Sequence, residues 1–444
     1  MKKFLALSLA ALMLAGMTAC GGEKPGPSPM ITLSPVPPGT DAQSSGDSGK
    51  IIPLSAVTLP ESIAFDDYDA KFAVRDANPV DESFMKALNA FAYESAAKIL
   101  ANDGKSACYS PLSIYYALAI AASGASGDTQ KELLKALGVK DAETLSVQCA
   151  NLFRALYSDN ETATLKLADS LWIDEGFSPK DAFVQNAADH FYAETFRADL
   201  ATQDAMDAMA AWVNERTAGK LNPQFTPDPM LLMTIINTIY FHDQWVNQFN
   251  ADNTAKGNFR LANGALAECD FMHATFGNHG YLKGKDYAKT TLHLADGSRM
   301  VFVLPDEGQN IADFLDEKKL SDVLAAEEQS YGEVKISLPK FDNASDLELT
   351  GALKAMGIAR AFEQDADFSG ITDEDCFIGG VLHQCRVSVN EDGVEAAAYT
   401  AIMMCGTGLM TGSAEINFDR PFLYAVEGGN GAILFIGVCM NPGA

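Results

Sequence analysis

Residues 388–401 read Ser388-Val389-Asn390-Glu391-Asp392-Gly393-Val394-Glu395-Ala396-Ala397-Ala398-Tyr399-Thr400-Ala401. This run of small residues follows a strand-like segment at 381–389 and leads into an uncharged segment at 402–408. Its small residues fall at alternate positions from Val394 to Thr400, so they would share one face of a strand. Such a segment can be an exposed loop in one state and a buried strand in another. A surface helix is the alternative, because alanine favours helices.

The N-terminus carries a targeting segment. Lys2 and Lys3 precede an apolar run at 4–17, which is too short to span a bilayer and is typical of a secretory signal. The run ends Met17-Thr18-Ala19-Cys20-Gly21, which resembles a bacterial lipoprotein cleavage box with Cys20 as the acylated residue. Ordinary signal cleavage beside an incidental cysteine is the alternative.

Three regions follow from this. We predict a lipoprotein signal peptide at 1–20, a tether rich in Pro, Gly and Ser at 21–75, and one large domain at 76–444. The tether cannot bury a core, whereas the domain is long enough to do so. We therefore expect the protein at the cell surface, outside the cytoplasm and attached to a membrane through a lipid anchor on Cys20.

Charge and cysteine content limit the function. A formal net charge of −27, from 32 basic and 59 acidic residues, argues against nucleic acid as a partner. The eight cysteines include no Cys-x-x-Cys pair, so neither a zinc site nor a dense disulfide framework is expected. Cys376 and Cys385 could pair, although buried free thiols are favoured for most of the set.

Helical and strand-like patterns are mixed along the chain. Apolar residues at helical spacing predict helices at 81–101 and from Ser110 to Gly124. No βαβ unit repeats, so the fold class is predicted to be α+β. Strand-like runs occur at Leu165 to Ile173, Thr234 to Phe241, Met300 to Leu304, Val334 to Leu338, Val381 to Val389 and Ala432 to Val438.

Motifs for catalysis are absent from the sequence. It contains no His-Glu-x-x-His, no Gly-x-Ser-x-Gly elbow and no phosphate-binding Gly-x-x-x-x-Gly-Lys-Ser/Thr. His273 and His279 are six residues apart, a spacing that fits no standard metal site. We expect no enzymatic activity, no cofactor and no metal.

Six ordered blocks resemble the serpins, and the resemblance covers residues from about 80 to 444. It implies a fold in which helices pack on a large central β-sheet, with further sheets and an exposed reactive loop. The blocks are Ser110-Pro111-Leu112-Ser113-Ile114; Trp212-Val213-Asn214 with Thr217 and Lys220; Asn237-Thr238-Ile239-Tyr240-Phe241 with Trp245 and Phe249; Leu338-Pro339-Lys340-Phe341; Ala366-Asp367-Phe368-Ser369-Gly370; and Phe418-Asp419-Arg420-Pro421-Phe422 with Asn441-Pro442.

The alanine-rich stretch stands where serpins carry the hinge of the reactive loop. The family pattern Glu-x-Gly-Thr-Glu-Ala-Ala-Ala is matched by Glu391, Gly393, Val394, Glu395, Ala396, Ala397 and Ala398. Val394 replaces threonine but is small and uncharged, and Tyr399 falls on the outward face by alternation. The resemblance implies a suicide inhibitor of serine proteases, with cysteine proteases as a further target class. After cleavage the hinge would insert into the main sheet and distort the acylated protease.

The same resemblance assigns roles to five further residues. Ser110, Ser113, Asn237 and His383 align with the shutter, a buried polar cluster where the sheet parts. Trp245 aligns with the breach, the site where insertion begins. None of them would act on a substrate.

The scissile bond of the reactive loop, called the bait bond below, is located by counting residues from the family motifs. Counting forward from Gly393 puts it between Thr407 and Gly408, whereas counting back from Phe418 ends near Met410. We favour the forward count, because the inserted arm must match the length of the sheet; Met404 or Cys405 are the fallback. A threonine before the bond suits an elastase- or subtilisin-like protease, and the absence of basic residues from Ala396 to Ala414 disfavours trypsin-like ones.

Two alternatives to inhibition stay open. A non-inhibitory serpin could act as a carrier or chaperone, but its usual bulky or charged hinge is absent here. A solute-binding lipoprotein would share the tether without explaining the ordered blocks. For the inhibitor we expect a monomer.

Overall fold

The computed structural model describes residues 50–100, 104–394 and 412–443. All of them belong to one unit, Ser48–Ala444. The predicted signal peptide, Cys20 and the first part of the tether lie outside these residues.

Helices are concentrated in the first half of the described chain and strands in the second. Short 3-10 turns lie at Ala251–Asn253, Ile311–Phe314 and Arg360–Phe362. The helices are α1 Tyr68–Ala77, α2 Glu82–Ile99, α3 Pro111–Gly124, α4 Gly127–Ala136, α5 Ala142–Leu156, α6 Asp181–Phe191, α7 Gln203–Arg216, α8 Glu317–Ala325 and α9 Thr350–Ala355.

The strands confirm the six strand-like runs, which fall in β4, β6, β10, β11, β13 and β17. The full set is β1 Ile52–Pro53, β2 Ala107–Tyr109, β3 Ser158–Asp159, β4 Thr164–Asp174, β5 Ala193–Ala198, β6 Met233–Gln244, β7 Ala255–Arg260, β8 Leu266–Lys283, β9 Tyr287–His293, β10 Arg299–Pro305, β11 Ser330–Pro339, β12 Phe341–Glu348, β13 Leu382–Val389, β14 Gly393–Val394, β15 Gly412–Asn417, β16 Phe422–Glu427 and β17 Ile433–Cys439.

Two sheets organise these strands. Sheet A runs in the order β1-β5-β4-β6-β14-β13-β12, with β3 paired to β4. Sheet B runs in the order β15-β11-β8-β9-β10-β16-β17-β2, with β7 paired to β8. Helices pack on these sheets, so the α+β fold class with further sheet structure beside a large main sheet is confirmed.

Helix α3 is the central helix of the core. Ser110 caps it by accepting a hydrogen bond from the backbone N–H of Ser113, and Pro111 occupies the first turn. Apolar residues surround the whole helix, and most of its side chains are buried. A helix that is apolar all round is expected inside a large core. This position brings the capped end of α3 beneath sheet A.

Sheet A is divided at its middle. The two-residue strand β14 pairs with β6 on one side and with β13 on the other. Among the described residues, β6 and β13 form no ladder with each other, so β14 is their link within the sheet. We call the region between β6 and β13, beyond β14, the slot.

Residues 50–75, predicted as tether, carry structure. Strand β1 forms the edge of sheet A and pairs with β5, with Ile52 opposite Arg197. Helix α1 begins at Tyr68, before the predicted domain start at 76. The composition that marks a tether is confined to residues before about 50, whereas apolar residues such as Ile52 and Leu54 allow the later part to pair with the sheet.

Candidate functional site

A tight turn precedes the hinge strand. The side-chain oxygen of Asn390 accepts hydrogen bonds from the backbone N–H groups of Asp392 (2.9 Å) and Gly393 (3.2 Å). The backbone N–H of Asn390 donates to the carbonyl of Gly393. These bonds reverse the chain between β13 and β14, so the hinge starts from a fixed point in the sheet.

Trp245 holds this turn from the end of β6. Its indole N–H donates to the carbonyl oxygen of Asn390 at 2.9 Å, and its backbone N–H donates to that of Asp392 at 2.8 Å. The side chain is buried. The backbone N–H of Phe249 donates to the carbonyl of Glu391. The predicted breach residue therefore contacts the base of the hinge directly.

Glu391 anchors the hinge through its side chain. One carboxylate oxygen lies 2.9 Å from Nζ of Lys340, and the other accepts from the hydroxyl of Thr254 at 2.8 Å. Burial raises the pKa of Glu391, but the bonds from Lys340 and Thr254 outweigh this effect and the pKa lies below its usual value. Lys340 was part of a quoted motif, yet its pairing with Glu391 was not predicted.

Gly393 and Val394 already belong to sheet A. A Cβ at Gly393 would lie 2.2 Å from the carbonyl oxygen of Asp243. Close approach to the backbone of β6 therefore requires glycine here. Val394 stands opposite Asp243 and is 2% exposed. The first small residue of the predicted hinge is thus already buried within sheet A.

Ser110 and His383 form one part of a buried polar cluster. The backbone N–H of Ser110 donates to Nε2 of His383 at 3.1 Å, and its hydroxyl donates to the carbonyl of Leu434. Burial lowers the pKa of His383 to about 3, so the ring is neutral at physiological pH. A neutral ring leaves Nε2 free to accept the bond from Ser110.

Ser113 and Asn237 form the other part of this cluster. The hydroxyl of Ser113 donates to the side-chain oxygen of Asn237, and the amide of Asn237 donates to Oδ1 of Asp169 at 2.7 Å. Ser110 and Ser113 are joined through the cap of α3. The structure therefore brings the four predicted shutter residues together beneath sheet A.

Asp169 was not identified from the sequence. It lies on β4 directly opposite Asn237 and is 1% exposed. The sequence pattern could have revealed its position. Asp169 falls on the same strand face as the buried residues Leu165, Leu167 and Leu171, which is the inward face. Its other carboxylate oxygen has no hydrogen-bond partner among the described residues. Burial raises the pKa of Asp169 to about 7, against the lowering effect of the Asn237 bond.

Two neighbouring carboxylate groups, those of Asp243 and Asp296, lie at the breach. Asp243 is fully buried, and its carboxylate accepts from the backbone N–H groups of Gln244 and Asp296. Burial, and then the charge of Asp296, raise the pKa of Asp243 well above its usual value. Lys71 of α1 forms an ion pair with Asp296, which also accepts from the hydroxyl of Ser158 at 2.6 Å.

The remaining predicted sites are located as follows. Cys376 and Cys385 are both free thiols, and Cys385 is buried. The described residues contain no cluster of His, Cys, Asp and Glu able to hold a metal ion. Within the same ranges, no helix is long and apolar enough to cross a membrane. Glu395, Ala396, Ala397, Ala398, Thr407, Gly408 and Cys20 lie outside the described residues.

Known proteins match this architecture and sequence. The family model "Serpin (serine protease inhibitor)" matches residues 86–442. A serpin-like protein of Methanosarcina acetivorans is 30% identical over 379 residues, which are 82% of this chain and 88% of its own length.

Solved structures agree with this match. The native thermophilic serpin tengpin has a TM-score of 0.75 at 24% identity, covering 88% of this chain and 100% of that one. Thyroxine-binding globulin in complex with thyroxine has a TM-score of 0.71 at 25% identity, and the match covers 81% of this chain and 99% of the globulin. The chain therefore belongs to the serpins, a family of serine protease inhibitors.

Proposed function

We propose that this serpin is a surface-anchored suicide inhibitor whose reactive loop inserts into sheet A after cleavage. The slot between β6 and β13 is the observation that carries the proposal. Strand β14 already pairs with both borders of the slot. An inserting loop would lengthen an existing strand, which avoids the cost of nucleating a new one.

The register of β14 predicts the path of the inserted arm. Gly393 pairs with Gln244 and Val394 with Asp243 in antiparallel order. Each step forward along the loop then moves one residue back along β6, so Ala396 would pair with Phe241 and Met404 with Met233. Because β6 begins at Met233, twelve residues from Gly393 to Met404 fill its length.

This length supports Thr407–Gly408 as the bait bond. A protease acylated on Thr407 would be carried just beyond the end of β6, where the sheet no longer supports it. Acylation on Met410 would leave a longer slack segment between the sheet and the protease. A short connection favours distortion of the attached protease, because it leaves less freedom to relax.

The same register aligns the loop with the shutter. Val389 pairs with Val394, so continued pairing along β13 would bring Thr400 opposite His383, and pairing along β6 would bring it opposite Asn237. The Thr400 side chain would share the inward face of Val394. A hydroxyl between an amide and an imidazole can satisfy both, so the shutter would accept the loop without leaving buried polar groups unpaired.

Complex formation tests the inhibitory function. We expect a denaturation-resistant covalent complex with an elastase- or subtilisin-like protease, visible on denaturing gels, because the small hinge residues permit fast insertion. The same protease without its nucleophile should give no complex. If every protease tested cleaves the loop and remains active, a non-inhibitory carrier, as suggested by the fold shared with the thyroxine-bound globulin, becomes the better function.

Two substitutions locate the bond. Thr407→Arg should convert the protein into an inhibitor of a trypsin-like protease, because arginine then precedes the bait bond. Met410→Arg is the matched control and should be cleaved without stable complex formation. Mass spectrometry of the released peptide identifies the bond in each case. The opposite pattern would place the bait bond at Met410.

Anchoring is a separate part of the proposal. It rests on the cleavage box at Cys20 and the adjoining Pro, Gly and Ser residues. Lipid on Cys20 would hold the inhibitor outside the cytoplasm, at the cell surface. We expect Cys20→Ala to release the protein from the membrane fraction, as followed by immunoblotting of separated fractions, with Cys108→Ala as the control that stays bound. Unchanged membrane association of Cys20→Ala would contradict the anchor.

A further inference from the structure

We propose that Asp169 makes the parting of sheet A dependent on pH, with the sheet parting faster when this carboxyl group is ionised. The inference rests on the proposed function, because it concerns the step that opens the slot. Its basis is the position of Asp169 in the polar cluster that joins sheet A to α3.

The geometry isolates one carboxylate oxygen of Asp169. Oδ1 accepts the amide N–H of Asn237, which is held in turn by Ser113 of α3. Oδ2 is buried and has no hydrogen-bond partner among the residues that the structure describes. An ionised carboxylate with one unsatisfied oxygen is unfavourable in such a site. Any movement that admits water to Oδ2 relieves this cost.

The groups that face Asp169 do not offset its charge. Tyr116 approaches from α3 and Cys149 from α5, and burial raises the pKa of both well above the usual values, so neither is charged near neutral pH. Asn237 on β6 and Ala193 on β5, its partners across the sheet, are uncharged. His383, the other titratable member of the cluster, stays neutral above about pH 3. Asp169 is therefore the group of this cluster that changes charge near neutral pH.

The direction of the effect follows from proton linkage. In the closed sheet burial raises the pKa of Asp169 to about 7, whereas the pKa of a hydrated carboxyl group in the parted sheet would return toward its ordinary value of 3.8. The closed state thus binds a proton that the parted state releases. The equilibrium constant for parting therefore rises by up to about tenfold per pH unit between about pH 4 and 7. Above pH 7 it levels off.

Peptide uptake measures this step without a protease. A synthetic peptide with the sequence of residues 394–407, labelled with a fluorophore, is incubated with the intact protein between pH 5.5 and 8.5. We expect its rate of incorporation to rise by up to about thirtyfold over this range, most of it below pH 7. In Asp169→Asn the rate should be independent of pH.

Two control variants make the test specific. Asp159→Asn changes a half-buried aspartate of β3 that pairs with Lys166, and it should retain the wild-type profile. Asp243→Asn removes the raised-pKa carboxyl group at the breach, so a pH profile that persists in this variant and is lost in Asp169→Asn assigns the dependence to the shutter. If Asp169→Asn does not fold, Asp169→Ser removes the same charge.

The outcomes separate this inference from the proposed function. A flat wild-type profile would overturn the role of Asp169 while leaving insertion intact. A profile abolished by Asp243→Asn but kept by Asp169→Asn would overturn it too. Failure to take up peptide at any pH would instead contradict insertion itself, and with it the proposed function.

Discussion

At the scale of single residues, the hinge is anchored before it moves. Val394 is buried opposite Asp243, and Glu391 is held by Lys340 and Thr254. Gly393 is required by close contact with β6. These contacts fix the start of the inserting strand, so register is set by residues that already lie in the sheet. A positive charge at Val394 could pair with the Asp243 carboxylate, which makes a negative charge the sharper probe.

We therefore predict that Val394→Glu impairs insertion. A second buried carboxyl group on the residue opposite Asp243 should cost at least about 2 kcal/mol, since neither group has a counter-charge there. The measurements are the number of inhibitor molecules consumed per protease inactivated, which should rise, and the thermal stability of the uncleaved protein, which should fall. Leu382→Glu on β13, where the side chain is 69% exposed, should change both little. Equal effects in the two variants would refute the burial of position 394.

At the scale of elements, α1 connects the N-terminal segment to the breach. Helix α1 has no buried residue, so apolar packing alone does not hold it in place. Its Lys71 side chain pairs with Asp296 and donates to the carbonyl of Phe65 at 2.7 Å, and it lies over the Phe65 ring. Asp296 in turn lies beside Asp243, the residue that pairs with the hinge. One lysine thus links a peripheral helix to the border of the slot.

Lys71→Ala should loosen α1. Loss of the ammonium group leaves the partly buried Asp296 carboxylate without its counter-charge, at a cost of about 1–3 kcal/mol of unfolding free energy. Limited proteolysis in the segment 56–67 should become faster. Lys131→Ala removes an exposed pair with Asp128 and should have no such effect, because surface ion pairs contribute about 0–1 kcal/mol. Unchanged proteolysis in Lys71→Ala would show that other contacts hold the helix.

At the scale of the whole molecule, the proposed insertion implies an uncleaved state that is not the most stable one. An arm filling the slot would form ladders with β6 and β13 along most of their length. Backbone hydrogen bonds contribute about 0.5–1.5 kcal/mol each, so the gain from two ladders is large for one domain. The uncleaved protein must then be maintained by a kinetic barrier, at which the shutter and breach must part.

Loop cleavage should therefore raise the heat resistance of the protein. We expect the melting temperature, followed by circular dichroism, to increase by at least about 10 °C after cleavage within 404–410. The cleaved Val394→Glu variant should gain less, because its arm inserts less completely. A cleaved wild-type protein that melts at the temperature of the intact one would show that the slot stays empty.

Local sequence determined much of this protein. Strand and helix periodicities located α3, β4, β6 and β13, and Ser110-Pro111 marked the start of the central helix, because caps and alternation depend on neighbours along the chain. The small-residue alternation after Gly393 predicted the hinge for the same reason. The edge strand at Ile52 was missed, since a two-residue strand carries too little periodicity to be recognised.

Tertiary structure alone decided the pairings that control the slot. Lys340 and Glu391 are 51 residues apart, Asp169 and Asn237 are 68 apart, and Lys71 and Asp296 are 225 apart. The sequence supplies each residue type and the face of its strand. Which side chains meet depends on strand order and on register between strands distant in sequence, and these are set by packing of the whole core. The sequence therefore predicted hinge and shutter residues, while the fold revealed Asp169 and the charged side chains that contact them.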